Sequence, residues 1–123
     1  SRYFAKPAET LSKEVRLAML GLGDRSILGE NGPLWYRGYW RQPEAMACEE
    51  AQFVLGTLGA KRMVMGHTTQ RDGQIHSRCG GTLYAIDTGI SRHYGEYPSA
   101  LRLTDNKVEA VYESGVIQLS PHE

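Results

Sequence analysis

Long apolar runs are missing from this 123-residue chain, and nothing in it approaches the length needed to cross a bilayer. The N-terminal stretch has no apolar core of the kind a secretory signal needs. Net charge is missing too. Fourteen basic and 14 acidic residues cancel, which removes any broad electrostatic case for nucleic acid or an anionic membrane as partner. Cysteine is scarce. Cys48 and Cys79 lie far apart in no metal-like spacing, and read as free thiols of a reducing compartment or as a single disulfide. The expected location is cytoplasmic. No internal repeat or low-complexity segment is present, and no methionine stands before Ser1-Arg2-Tyr3. That start is expected of a processed, tag-trimmed or excised piece of a longer polypeptide.

A hydrophobic fraction of 41% is ordinary for a folded protein. The length suits one domain over residues 1–123 with a real core, and is too short for two. Thr10 or Ser12 can cap a first helix, with Leu11, Val15, Ala18 and Met19 on one face and Gly21 or Gly23 as its stop. Residues 21–43 are too rich in glycine and proline for a continuous element. Yet they hold Trp35-Tyr36-Arg37-Gly38-Tyr39-Trp40, and so many rings demand an ordered loop. Arg37, held by that packing, can offer a rigid fork to a phosphate or carboxylate. A buried ion pair and a cation–π contact are the competing uses.

Pro43-Glu44 starts a second helix, with Ala45, Cys48, Ala51 or Gln52, Leu55 and Leu58 as its buried stripe and Gly59 as its stop. A short turn leads into Met63-Val64-Met65, read as a buried strand that ends at Gly66 and then presents His67, Thr68 and Thr69. Helix, turn and apolar run together resemble the second half of a βαβ unit. Beyond His67 the pattern turns antiparallel. Residues 74–78 alternate like an edge strand, residues 82–86 form a strand ending in Asp87-Thr88-Gly89, and residues 100–103 and 108–112 close the fold as a hairpin. Neighbouring strands would bring these polar ends together, with His93 and Tyr94 in a third loop. Histidine, arginine and tyrosine on one rim suit an oxyanion, and a neutral imidazole also suits a metal. The bland alternative is a core strand with a capping histidine.

A longer pattern bears on that choice. Leu58-Gly59-Ala60-Lys61-Arg62-Met63-Val64-Met65-Gly66-His67-Thr68, then Cys79-Gly80-Gly81-Thr82-Leu83-Tyr84-Ala85-Ile86-Asp87-Thr88-Gly89-Ile90-Ser91, then Tyr94-Gly95, resembles the calcineurin-like metallophosphoesterases. Gly32-Pro33-Leu34-Trp35-Tyr36-Arg37-Gly38-Tyr39 narrows the resemblance to the Shewanella-like branch of the phosphoprotein phosphatases. It implies an α/β fold: the C-terminal half of a metallophosphoesterase β-sandwich flanked by helices, with two N-terminal helices and then a mostly antiparallel sheet. It also implies metal-dependent hydrolysis of phosphate monoesters on a phosphorylated protein or a small phosphoester. Two divalent metals, Mn, Fe or Zn, would activate the water. By position His67 is then a metal ligand, Arg37 and Tyr94 contact the phosphate, and Asp87 and Thr68 support them from behind.

The departure from that family is large. Its Asp-x-His, Gly-Asp-x-x-Asp-Arg-Gly and Asn-His-Glu motifs do not occur here. One imidazole cannot hold two cations, so the chain alone is expected to be inactive and to bind metal weakly at most. The N-terminal half of the same domain, or self-association, is expected to cover an exposed apolar edge along residues 62–65 and a face of the second helix. A non-catalytic phosphate- or partner-binding module is the other reading.

Overall fold

Pro43 turns the chain into its main helix: with φ −53° and ψ 143° it sits at the N-cap, and its carbonyl accepts from Met46 N and Ala47 N at 3.1 Å each. The computed structural model describes Lys13, Ile27, Gly29, Glu30 and residues 32–119. The helix expected from Thr10 or Ser12 lies outside these residues except for Lys13, which is helical. Contacts divide the chain into two units, Ser1–Tyr36 and Arg37–Glu123. In the first, a turn is closed by Gly32 N to Gly29 O at 2.8 Å, with Trp35 N and Tyr36 N donating to Gly32 O at 3.1 Å.

The second unit opens with the short helix α1 (Gly38–Arg41) and continues into α2 (Glu44–Leu58). Gly59 ends α2 in the left-handed region, φ 63° and ψ 29°, and Ala60 N returns to Leu55 O at 3.0 Å. That six-to-one bond satisfies a carbonyl the helix end would otherwise leave open. The buried residues of α2 are Ala47, Ala51 and Leu55, which corrects the expected stripe. Ala45 is exposed and Leu58 is 72% exposed. The two alanines explain the rotation. Their small side chains let the helix axis approach Leu83, with Met63, Met65, Tyr39, Trp40 and Cys79 packed around them.

Three short strands form the first sheet: β1 (Met63–Met65), β2 (His76–Arg78) and β3 (Leu83–Ala85), in the order β1-β3-β2. β3 is central and fully buried, and β2 pairs with it antiparallel as an edge strand. β1 pairs with β3 in parallel, Met63 opposite Leu83 and Met65 opposite Ala85. The parallel partner therefore follows β1 in the chain rather than preceding it, and the pattern after His67 is not purely antiparallel. Nor is β1 a buried strand: it lies at the sheet edge with Val64 41% exposed. Pairing on one side leaves the other flank of β1 without cover among the described residues.

A second sheet, β4 (Ser99–Thr104), β5 (Lys107–Tyr112) and β6 (Gly115–Gln118), is antiparallel throughout. The expected hairpin turns on Asp105-Asn106. β6 is an additional strand, too short and too thinly patterned to register in the sequence. Val108 and Ala110 on β5 are fully buried, and Arg102 on β4 donates to Glu109 at 2.8 Å.

The two cysteines are joined. Cys48 in α2 and Cys79 in the β2–β3 turn form a disulfide with Cα atoms 5.4 Å apart, so the free-thiol reading is corrected. Thirty-one residues of separation say nothing about spatial distance; the close seating of α2 on β3 creates it. Polar contacts reinforce the same joint. Glu44 Oε1 accepts from Cys79 N at 3.0 Å, and Gln42 Nε2 donates to Glu50 Oε2 at 2.8 Å.

Candidate functional site

Parallel pairing gives the site its shape. Because β1 and β3 run the same way, the loops after Met65 and Ala85 leave the sheet at the same end, and Ile86 N to Met65 O at 2.9 Å continues the ladder beyond the strands. The loops are then laced together. Gln70 N donates to Asp87 O at 2.7 Å, and Thr69 Oγ1 donates to Asp87 Oδ2 at 3.0 Å. The other carboxylate oxygen of Asp87 accepts from Gly89 N at 3.1 Å. Asp87 thus ties the two loops together through Oδ2 and shapes its own loop through Oδ1. The expectation had it supporting His67; its side-chain bonds run to Thr69 and Gly89, and Thr69 had been noted at the strand end without a role.

His67 occupies the left-handed region, φ 61°, between Gly66 and Thr68, whose N–H reaches back to Gly66 O at 2.6 Å. A residue with a Cβ loses about 1–2 kcal/mol in that conformation, and such strain clusters where a side chain must be aimed. The neighbouring Thr68 Oγ1 is buried with no hydrogen-bond partner among the described residues. Gln70, itself buried, braces the loop by donating from Nε2 to Thr68 O at 2.8 Å.

The third loop packs against these two. Thr88 is fully buried and its Oγ1 donates to Tyr97 O at 2.8 Å while sharing a bond with Ser99 Oγ at 2.6 Å. Tyr97 N returns to Gly89 O at 3.0 Å. Gly89, with φ 76°, is required here: a Cβ would stand 2.7 Å from Tyr94 O and 2.9 Å from Tyr94 Cβ. A single 3-10 turn, Arg92–Tyr94, presents Tyr94 with the His93 ring edge-on at 4.9 Å.

Arg37 sits at the N-cap of α1, and Arg41 N donates to its carbonyl at 3.0 Å. The helix is clamped from below by Arg78, whose Nη1 donates to Tyr39 O at 3.2 Å and Gln42 O at 2.9 Å. The same guanidinium lies 4.7 Å from the Trp40 ring centroid. The cation–π contact weighed for Arg37 therefore belongs to Arg78. Burial, and then the charge of Glu50, pushes the Tyr39 phenol above its ordinary pKa.

These pieces line one cleft of about 930 Å³, which includes Arg37, His67, Thr68, Asp87 and Tyr94. Every residue singled out in the sequence for the site stands on that wall. So do Arg41, Thr69, Arg71 and Tyr97, which were not singled out as site residues. Arg41 had a legible signal, lying one helical turn from Arg37. Arg71, a lone arginine beside a turn, had none.

The donor set does not suit a self-contained metal centre. Among the described residues, the one group of three or more potential ligands with atoms close together is Glu44, Cys48 and Cys79, and its two sulfurs are bonded to each other. His67 belongs to no such group among the described residues, so the cleft residues do not by themselves fit two divalent ions. What the wall does offer is oxyanion chemistry: guanidiniums, an imidazole, a phenol and an unpartnered threonine hydroxyl.

No protein-family model matches the chain. It is similar to Shewanella-like protein phosphatase 1 of Plasmodium berghei, 37% identical over 93 residues, covering 71% of this chain and 26% of that protein. An uncharacterised Schizosaccharomyces pombe protein is 46% identical over 92 residues, covering 72% of this chain and 27% of its own length. Among solved structures it resembles the cold-active protein-tyrosine phosphatase of a psychrophilic Shewanella species. One crystal structure gives a TM-score of 0.64 at 26% identity, covering 76% of this chain and 27% of that one. A second gives 0.64 at 25% identity, with 87% and 30% covered. The chain spans about a quarter of the length of the curated relatives it matches.

Proposed function

We propose that this chain is the C-terminal, phosphate-recognising part of a metal-dependent protein phosphatase domain of the Shewanella-like, calcineurin-like type. One observation carries the reading. The parallel β1–β3 pair delivers His67, Thr68 and the Asp87 loop to the cleft that Arg37 and Tyr94 also line. Arg37 supplies the fork for two phosphoryl oxygens, and the Tyr94 hydroxyl donates to a third. Asp87 and Thr69 hold the loops so that His67 keeps its strained aim. Similarity to two named phosphatases supports the class of reaction.

Hydrolysis needs metal ligands that these residues do not supply, so the isolated chain is expected to be inactive. A phosphorylated protein or small phosphoester is the proposed substrate, and the remainder of the domain, or a second copy, the proposed cover for the β1 edge and the outer face of α2. Along that surface Phe53 is 76% exposed, and Met46, Leu58 and Val64 are exposed as well. The test is hydrolysis of a phosphotyrosine and a phosphoserine peptide with Mn²⁺, by the 123-residue chain and by the longest native polypeptide that contains it. Turnover by the long form, lost in His67→Ala and cut at least 100-fold in Arg37→Ala, is expected. No turnover by the long form, with phosphate binding retained, would favour the non-catalytic binding module.

A further inference from the structure

The cleft carries more guanidiniums than the one fork a phosphate needs. A phosphomonoester brings a charge of about −1.5 to −2, and in the reading above the Arg37 fork and the Tyr94 hydroxyl bond its oxygens. Two further guanidiniums, Arg41 and Arg71, stand on the same wall. Asp87 is the one carboxylate of the lining, and Thr69 and Gly89 engage both of its oxygens. Outside the cleft, Arg78 donates to backbone carbonyls, Arg92 pairs with Glu96 at 3.1 Å and Arg102 with Glu109 at 2.8 Å. Arg37, Arg41 and Arg71 have no ion pair or side-chain hydrogen bond among the described residues. In a chain of net charge +0, three unmatched arginines on one concave wall are a concentration of charge, not an average.

Their placement separates them into two tasks. Arg41 follows Arg37 by one turn, at the last residue of α1, and its N–H donates to the Arg37 carbonyl at 3.0 Å. Arg71 comes from a different element, the turn closed by Gly73 N to Gln70 O at 3.0 Å. A cleft of about 930 Å³ has room for a drug-sized ligand, far more than one phosphate fills. Resting on the phosphate-binding reading above, we infer that Arg41 and Arg71 form a second anion subsite, which selects phosphorylated peptides bearing another negative group beside the phosphate. The partner is an acidic phosphopeptide. Arg37 reads its phosphate; Arg41 and Arg71 read the flanking carboxylate or second phosphate.

Calorimetric titration of the chain at low salt tests this, with a phosphoserine peptide flanked by aspartates and one flanked by alanines. The acidic peptide is expected to bind about tenfold tighter, as two partly exposed charge pairs allow. That ratio falls to near one in Arg41→Gln/Arg71→Gln, while Arg37→Gln weakens both peptides by the same factor. Equal binding of the two peptides by the unsubstituted chain overturns the second subsite and leaves the phosphate reading standing. A tenfold ratio that survives in the double variant overturns it too, by placing the discrimination elsewhere. If neither peptide binds, both readings fall.

Discussion

Removing the Cys48–Cys79 disulfide is the sharpest stability test, because its size follows from the chain alone. The bond closes a loop with a sequence separation of 31 residues, for which chain entropy gives about 3.7 kcal/mol at 25 °C. With an unfolding entropy of about 2.1 cal/mol/K per residue over 123 residues, that is a fall in Tm of about 14 °C. The variant to make is Cys48→Ser/Cys79→Ser, read by calorimetry or by thermal circular dichroism. Dithiothreitol should lower the Tm of the unsubstituted chain by a similar amount and leave the double variant unmoved. Arg78 still clamps Tyr39 O and Gln42 O in the variant, so α1 keeps its place and phosphate binding persists below the new Tm. A change under about 3 °C, or a response to reductant in the double variant, would refute the reasoning.

Three further outcomes follow from particular contacts. Gly89→Ala should destabilise by at least about 2 kcal/mol in a denaturant titration, since it adds strain at φ 76° to a 2.7 Å approach to Tyr94 O. Leu83→Ala, at the buried centre of the first sheet, should cost about 2–5 kcal/mol by the same assay. The hydrogen bond and charge of Arg102 hold the Glu109 carboxyl below its ordinary pKa. A lowered folded value means the gain is present above the unfolded pKa and is lost as pH falls through the folded one. The Tm gap between the chain and Glu109→Gln should therefore be small at pH 6, close as the pH falls through the lowered carboxyl pKa, and shrink in high salt.

The lining of the cleft was more legible in the sequence than the scaffold that positions it. Polar residues following two apolar runs, at Gly66-His67-Thr68 and Asp87-Thr88-Gly89, were visible as strand ends, and the cleft joins them. Parallel pairing of β1 with β3 was not visible, because three-residue strands carry no periodicity that separates parallel from antiparallel neighbours. The α2 stripe was misjudged at Ala45 and Leu58 for a related reason. Alanine scores as apolar on any face, while the seating of α2 is decided by where a small side chain permits close approach. The left-handed His67 leaves no mark in a sequence, since glycine, not histidine, signals that conformation. Thr69 was hidden beside Thr68: two adjacent hydroxyls look alike until the loop turns one of them toward Asp87.

Phosphate recognition in the cleft, with Arg37 as the principal ligand, is the central proposal. Phosphorus NMR titration of phosphoserine into the 123-residue chain, compared with Arg37→Ala, measures that directly. Saturable binding by the chain is expected, with a loss of at least tenfold in affinity for Arg37→Ala and the fold intact by circular dichroism. No binding by the chain, or equal binding by Arg37→Ala, would contradict it.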